Sequence, residues 1–291
     1  MRLCEYTQPD GRLVQYFEHG TGDLLVVYHH GTSVAGPIPA ALCHSADRHG
    51  VRLVEFVRPG YGASTRMIGR SVADIASISA RLAQHVGASR FACLGWSGGG
   101  PHALATAALL PDECVAVMCL SGVAPFAAEG IDFLDGMGEA NVTEFHLALQ
   151  GEAALRPWLE EGAQIYRDLS LQDVVNDFDS LLSDVDRAAM SEEIGAEFAA
   201  CLRWSAEAGI DGWIDDDLAL VSPWGFDIAA ITQPAIVWHG IQDRMVPRTH
   251  AEWLAEHIPG ARVELLPEHG HISILREAFD EGLAFLRAGW E

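Results

Sequence analysis

Phe91-Ala92-Cys93-Leu94-Gly95-Trp96-Ser97-Gly98-Gly99-Gly100 begins as an apolar run, passes through a G-x-S-x-G turn and leads into an Ala- and Leu-rich segment ending near Leu110. Strand, sharp turn and helix in that order would leave Ser97 exposed at the tip of the turn. A serine hydroxyl is a poor nucleophile at neutral pH. A chain that uses one has to present it on such a turn, give it a base and stabilise the oxyanion that forms. Gly95 and Gly99 are expected where the backbone packs too closely for side chains, and the Gly98 N–H is expected to face the reacting carbonyl oxygen. In a chain with 29 glycines the pentapeptide also arises by chance, so its surroundings carry the argument.

Outward from the turn, short runs rich in β-branched residues alternate with longer segments of helical period, the pattern of a mostly parallel sheet with helices on both faces. Strands are expected over 13–18, 24–29, 51–57, 91–95, 115–120, 235–238 and 263–266. Helices are expected over 39–48, 71–86, the stretch from the serine turn to 110, 250–257 and 273–288. From 125 to 224 one helical pattern follows another with no convincing strand. Residues 1–124 and 225–291 therefore read as one α/β core, and 125–224 as a helical insertion between two strands of its sheet.

The chain has 291 residues, 49% of them hydrophobic, enough for a full core without disulfide staples. No apolar run approaches the roughly 20 residues of a spanning helix, and Met1-Arg2-Leu3-Cys4-Glu5-Tyr6 lacks the pattern of an export signal, so a cytoplasmic protein is expected. The cysteines (Cys4, Cys43, Cys93, Cys114, Cys119, Cys201) show no C-x-x-C pair and read as reduced thiols. Forty-one acidic residues face 18 basic ones, every one an arginine. That balance speaks against nucleic-acid binding and excludes a lysine nucleophile. More than half of the acidic residues lie in 126–224, and so acidic a segment argues against a membrane-active lid. Within it, Asp215-Asp216-Asp217 is expected to be a solvated turn or helix start rather than a metal site, lacking the alternate spacing of a calcium loop. Gly98-Gly99-Gly100 at a helix start could cradle phosphate, but the chain has no G-x-x-x-x-G-K-[ST] and no lysine. No metal, nucleotide or other cofactor is implied, and the oligomeric state is not legible.

A serine nucleophile needs a histidine held in the correct tautomer by a carboxylate. His271 is the candidate base, because Glu268-His269-Gly270-His271-Ile272-Ser273 follows the last expected strand and precedes the final helix, at a carboxyl edge where parallel-sheet sites assemble. Gly270 is expected to supply the flexibility that places the ring. His269 is its rival. Asp243 lies in the loop after strand 235–238 and is the candidate carboxylate; its alternatives are to cap the helix after Pro247 or to pair with Arg244. Asp227 and Asp280 are weaker, since neither follows a strand. The second oxyanion donor is expected from the Thr32 amide in His30-Gly31-Thr32, with His30 ordering that loop. The pair His29 and His30 lacks the helical or paired-cysteine context of a metal site.

Ser97, Asp243 and His271 in that chain order, with H-G-T at 30–32, R-P-G-Y-G-A-S at 58–64, G-W-S-G-G at 95–99, G-x-x-D at 240–243 and G-H at 270–271, resemble the α/β-hydrolase superfamily over nearly the whole chain. The resemblance implies a mostly parallel eight-stranded sheet with a helical cap over Ser97. Arg58-Pro59-Gly60-Tyr61-Gly62 and the insertion look like the capped group that includes small-molecule esterases, proline iminopeptidases, cofactor-free haloperoxidases and C–C bond hydrolases. Serine at 97 departs from the aspartate of the dehalogenases and epoxide hydrolases, and Thr32-Ser33-Val34 departs from the longer glycine-rich loop of some lipases. The expected activity is a carboxylesterase-like serine hydrolase (EC 3.1.1) acting on a small neutral or apolar substrate. The alternatives are an iminopeptidase-like aminopeptidase, its ammonium held by Glu207, Asp211 or Asp215 to Asp217, and a non-hydrolytic or C–C bond-cleaving enzyme. Trp96, His30 and Trp204 are the expected substrate contacts.

Overall fold

The computed structural model describes residues 1–168, 173, 175–176, 178–190 and 193–290. Its strands are β1 (Arg2–Thr7), β2 (Leu13–His19), β3 (Leu24–His29), β4 (Val51–Phe56), β5 (Phe91–Trp96), β6 (Cys114–Leu120), β7 (Ala235–Gly240) and β8 (Arg262–Leu266). They form one sheet in the order β1-β2-β4-β3-β5-β6-β7-β8. β2 runs antiparallel to β1 and β4 at one edge, and β3 to β8 run parallel to one another. Every residue of β3, β5, β6 and β7 is buried, as expected of strands covered on both faces.

The alternation along β3 divides the core. Val26 and Tyr28 face helices α1 (Ala40–His49) and α10 (Leu275–Trp290), whereas Leu25 and Val27 face α2 (Asp74–His85), α3 (Gly100–Leu109) and α9 (Arg248–His257). β1 has no counterpart among the expected strands. Its residues are exposed or half-buried, and it is held by cross-strand pairs such as Leu3 with Phe17 and Tyr6 with Val14. An edge strand of this kind carries no apolar run for a periodicity reading to find.

Between β6 and β7 lie α4 (Glu139–Ala148), α5 (Glu152–Asp168), α6 (Asp184–Met190), α7 (Glu193–Glu207) and α8 (Asp211–Leu220), with no strand among the described residues. Phe133, Met137 and Phe145 from this segment pack with Leu220, Trp224 and Val246 in a third apolar cluster. The acidic run 215–217 sits mid-helix in α8 and is out of solvent, with Asp216 fully buried. The expected solvated turn is therefore overturned, for partners on other elements make that burial possible.

Candidate active site

Ser97 follows β5 directly and adopts φ +54°, a left-handed conformation that non-glycine residues rarely take. A single 3₁₀ turn over Ser97–Gly99 then runs into α3. The crowding shows in the glycines: a Cβ on Gly95 would lie 2.3 Å from the Gly99 carbonyl oxygen, and one on Gly99 only 2.1 Å from that of His29. Such a backbone is held against about 1–3 kcal/mol of strain by its surroundings. The result is a half-buried serine at the carboxyl edge of the sheet, facing a cavity.

His271 and Asp243 meet there from the loops after β8 and β7. The His271 Nδ1–H donates to Asp243 Oδ2 at 2.7 Å, which leaves Nε2 as the accepting nitrogen. Asp243 Oδ1 accepts from the N–H groups of Met245 and Val246, at 2.8 Å each, so this carboxylate also caps the turn before α9. His271 and Ser97 line the same cavity, and the Trp96 ring lies 5.4 Å from the imidazole. The rivals lie elsewhere. His269 Nε2 is 3.2 Å from Glu277, Asp227 accepts from Ala229 N–H, and Asp280 pairs with Arg48 and His49.

Thr32 and Gly98 approach each other across the turn; a Cβ on Gly98 would stand 3.2 Å from the Thr32 nitrogen and 2.0 Å from its hydroxyl oxygen. The loop is held from behind. Arg58, fully buried, donates to the carbonyl oxygens of His30 (2.5 Å) and Gly31 (3.3 Å), while the Ser33 N–H donates to the Tyr61 hydroxyl (3.1 Å). Both anchors converge on Asp216 of α8. Arg58 donates to it at 2.5 and 3.0 Å, the Tyr61 hydroxyl at 2.8 Å, and Arg70 is its second ion-pair partner. Burial alone would raise the Asp216 pKa, but Arg58 and Arg70 hold it well below the usual carboxylate range. Burial pushes His102, 3.5 Å from Asp216, down to about 4.

His30 orders the loop as expected and does not line the cavity. Its Nδ1 is 2.7 Å from the Gly31 carbonyl oxygen and its Nε2 accepts from the Arg58 N–H, with burial lowering its pKa well below the usual range. Trp204 is also absent from the wall, its ring packing edge-on against Phe17 instead. Neither lines the cavity, which corrects both as expected contacts in its wall, whereas Trp96 does line it.

The cavity has a volume of about 320 Å³ and a largely apolar wall that includes Phe145, Trp158, Tyr166, Phe198, Trp213 and Met245. Its acidic groups are Glu144, Glu161 and Asp217, and no arginine lines it among the described residues. Of the acids expected at an ammonium site, only Asp217 reaches the wall: Asp211 and Asp215 pair with Arg66, and Asp216 belongs to the network behind the loop. Asp217 shares the wall with Glu144, whose Oε1 accepts from the Trp213 indole N–H at 2.5 Å. Burial, and then Glu144 beside it, push the Asp217 pKa well up, and burial raises that of Glu144. Sequence reasoning missed Glu144, Tyr61 and Arg70; only α8 brings their partners to them. No group of three or more His, Cys, Asp or Glu that could hold a metal occurs among the described residues.

A strained serine turn, a His–Asp pair and an adjoining loop gather at one edge of a mostly parallel sheet, and the chain belongs to the α/β-hydrolase fold family, whose model matches residues 25–278. It is similar to the uncharacterised hydrolase YcgS of Bacillus subtilis, 24% identical with 98% of both chains covered. It is also similar to a pimeloyl-[acyl-carrier protein] methyl ester esterase of Nitrosomonas europaea, 25% identical over 88% of this chain and 91% of that one. A solved hydrolase from Pseudomonas aeruginosa shares the fold with a TM-score of 0.71 at 20% identity, covering 98% of each chain. No helix among the described residues is long and apolar enough to cross a membrane.

Proposed function

We propose that this hydrolase cleaves the ester bond of a small acyl substrate through an acyl-enzyme on Ser97. The observation that carries the reading is the 2.7 Å His271–Asp243 hydrogen bond, made at the cavity onto which the φ +54° serine opens. Ser97 Oγ attacks the carbonyl carbon while His271 Nε2 takes its proton. The tetrahedral oxyanion sits against the amides of Thr32 and Gly98, each worth about 3–4 kcal/mol of transition-state stabilisation. His271 gives the proton to the departing alcohol, then activates the water that releases the acid and frees Ser97. Residues 125–224 act as the cap over this centre, and their aromatic side chains give the acyl group an apolar surround. Ser97→Ala should abolish p-nitrophenyl acetate turnover and fluorophosphonate labelling, and an unchanged rate would sink the assignment. Asp243→Asn should fold and lose about 10⁴-fold in kcat through the wrong imidazole tautomer.

The three acids of the cavity wall, with no arginine there among the described residues, favour one second reading, an aminopeptidase or amino-ester hydrolase whose substrate ammonium meets Asp217 and Glu144. Aminoacyl naphthylamides and p-nitrophenyl esters assayed in parallel discriminate the two. Preference for a cationic substrate that disappears in Asp217→Asn supports the second reading, and equal use of neutral esters by both proteins removes it.

A further inference from the structure

The loop that carries His271 is held by a carboxylate from outside the sheet. Asp186, on α6 between β6 and β7, is fully buried and lies 85 residues from His271 in sequence. Its Oδ2 accepts the His271 N–H at 3.0 Å and its Oδ1 accepts the N–H groups of Ile272 and Ser273 at 2.9 Å each. The hydroxyls of Ser273 (3.0 Å, to Oδ1) and Ser183 (2.9 Å, to Oδ2) complete five bonds, all from neutral donors. Three successive backbone N–H groups turned onto one carboxylate form an anion-binding nest. This nest is filled by the protein's own side chain.

The same contact explains Gly270. Gly270 does not adopt the left-handed conformation, so the freedom to place the ring is not what it supplies. A Cβ there would meet Asp186 Oδ2 at 2.1 Å and Ser183 Oγ at 2.6 Å. Glycine at 270 is a requirement for the close approach of Asp186, which corrects the flexibility expected from sequence.

We infer that Asp186 is a positioning residue for the reaction: by holding the N–H groups of 271–273 it sets the direction in which the His271 side chain leaves the backbone. Asp243 then needs only to set the ring torsions. Through this bond the segment between β6 and β7 takes part in building the general base, beyond roofing the cavity. The inference rests on the reading of His271 as the base of Ser97. A displacement of about 1 Å between base and nucleophile is enough for a rate loss on the order of 100-fold.

Asp186→Asn keeps the volume but turns an amide NH₂ toward N–H donors. Its kcat on p-nitrophenyl acetate and its rate of fluorophosphonate labelling should fall together by about 10- to 100-fold, with KM within about twofold. The downfield proton resonance of the His271–Asp243 bond should shift or broaden in the folded variant. A folded Asp186→Asn with wild-type kcat and an unmoved resonance overturns the inference. Should that variant fail to fold, Ser183→Ala removes one donor to the same carboxylate and leaves every N–H of the turn in place. A kcat lowered about 2- to 5-fold at constant KM then supports the role, and an unchanged kcat rejects it. Failure of the underlying reading is a separate result, since wild-type protein would then resist fluorophosphonate and Ser97→Ala would match it in turnover.

Discussion

Asp216 and Asp217 are neighbours on α8, both out of solvent, and they titrate in opposite directions. Asp216 points behind the loop at 30–33, where Arg58, Arg70 and the Tyr61 hydroxyl surround it and hold its pKa well below the usual carboxylate range. Asp217 lies on the cavity wall with Glu144, with no arginine in that wall among the described residues, and burial and Glu144 push its pKa well up. Burial penalises both charges. What separates them is whether a cation was buried with the acid. One face of a single helix turn thus anchors rigid machinery, while the next presents a group whose charge depends on pH and on what occupies the cavity.

The comparison is broken most severely on the Asp216 side. Asp216→Asn leaves two arginines facing a neutral amide in a site without solvent, and should destabilise the fold by about 3–5 kcal/mol. The sign with pH is opposite to that of its neighbour. A depressed carboxylate contributes its full stability above its ordinary value and loses it as pH falls from there through the lower folded value, so the variant should lack part of the wild-type acid sensitivity. Urea melts at pH 3 and pH 7 measure both effects. A variant less than 1 kcal/mol from wild type at pH 7 would show that the Arg58–Asp216 pair does not hold the loop.

Glu55 sharpens the contrast by standing on the Asp217 side. It is buried at the end of β4 and accepts the Gly36 N–H at 3.1 Å, and burial pushes its pKa up to about 8. Because the folded value lies above the ordinary one, the stability it permits is complete below about 4.5 and is lost as pH rises toward 8. Glu55→Gln keeps an acceptor for Gly36 and discards the proton linkage. It should be stabilised by about 3.5 kcal/mol more at pH 8 than at pH 5, relative to wild type. An equal difference between the two proteins at both pH values would place Glu55 with the ionised acids.

The legibility of these features follows their range in sequence. Ser97, with its flanking glycines, is a local pattern; Asp243, His271 and Thr32 stand out as candidates because each follows a strand of a sheet whose period is plain. Asp215-Asp216-Asp217 was misread because three consecutive acids resemble solvent-facing charge, while the arginine that neutralises Asp216 from β4's loop is 158 residues away. Trp204 was misplaced because an aromatic in a helix does not announce which neighbour it faces. Asp186 and Gly270 were illegible for a related reason: the close approach that links them exists only once α6 lies on the His271 turn.

Asp217→Asn carries the smallest expected effect and the most direct test of the α8 contrast. In wild type, burial and the neighbouring Glu144 raise the Asp217 pKa above its ordinary value of about 3.9. The pair's contribution is therefore whole in acid and declines as pH rises from there toward the folded value. Asparagine supplies a permanent N–H donor to Glu144 at every pH, and the Trp213 indole bond to Glu144 is untouched. The variant should match wild type within about 0.5 kcal/mol at pH 5 and exceed it by about 1 kcal/mol at pH 9. Thermal melts across that range read the difference. If Asp217→Asn lost stability as pH rose while wild type did not, the wall acid would be ionised and paired like Asp216, and the two faces of α8 would not differ in the way proposed.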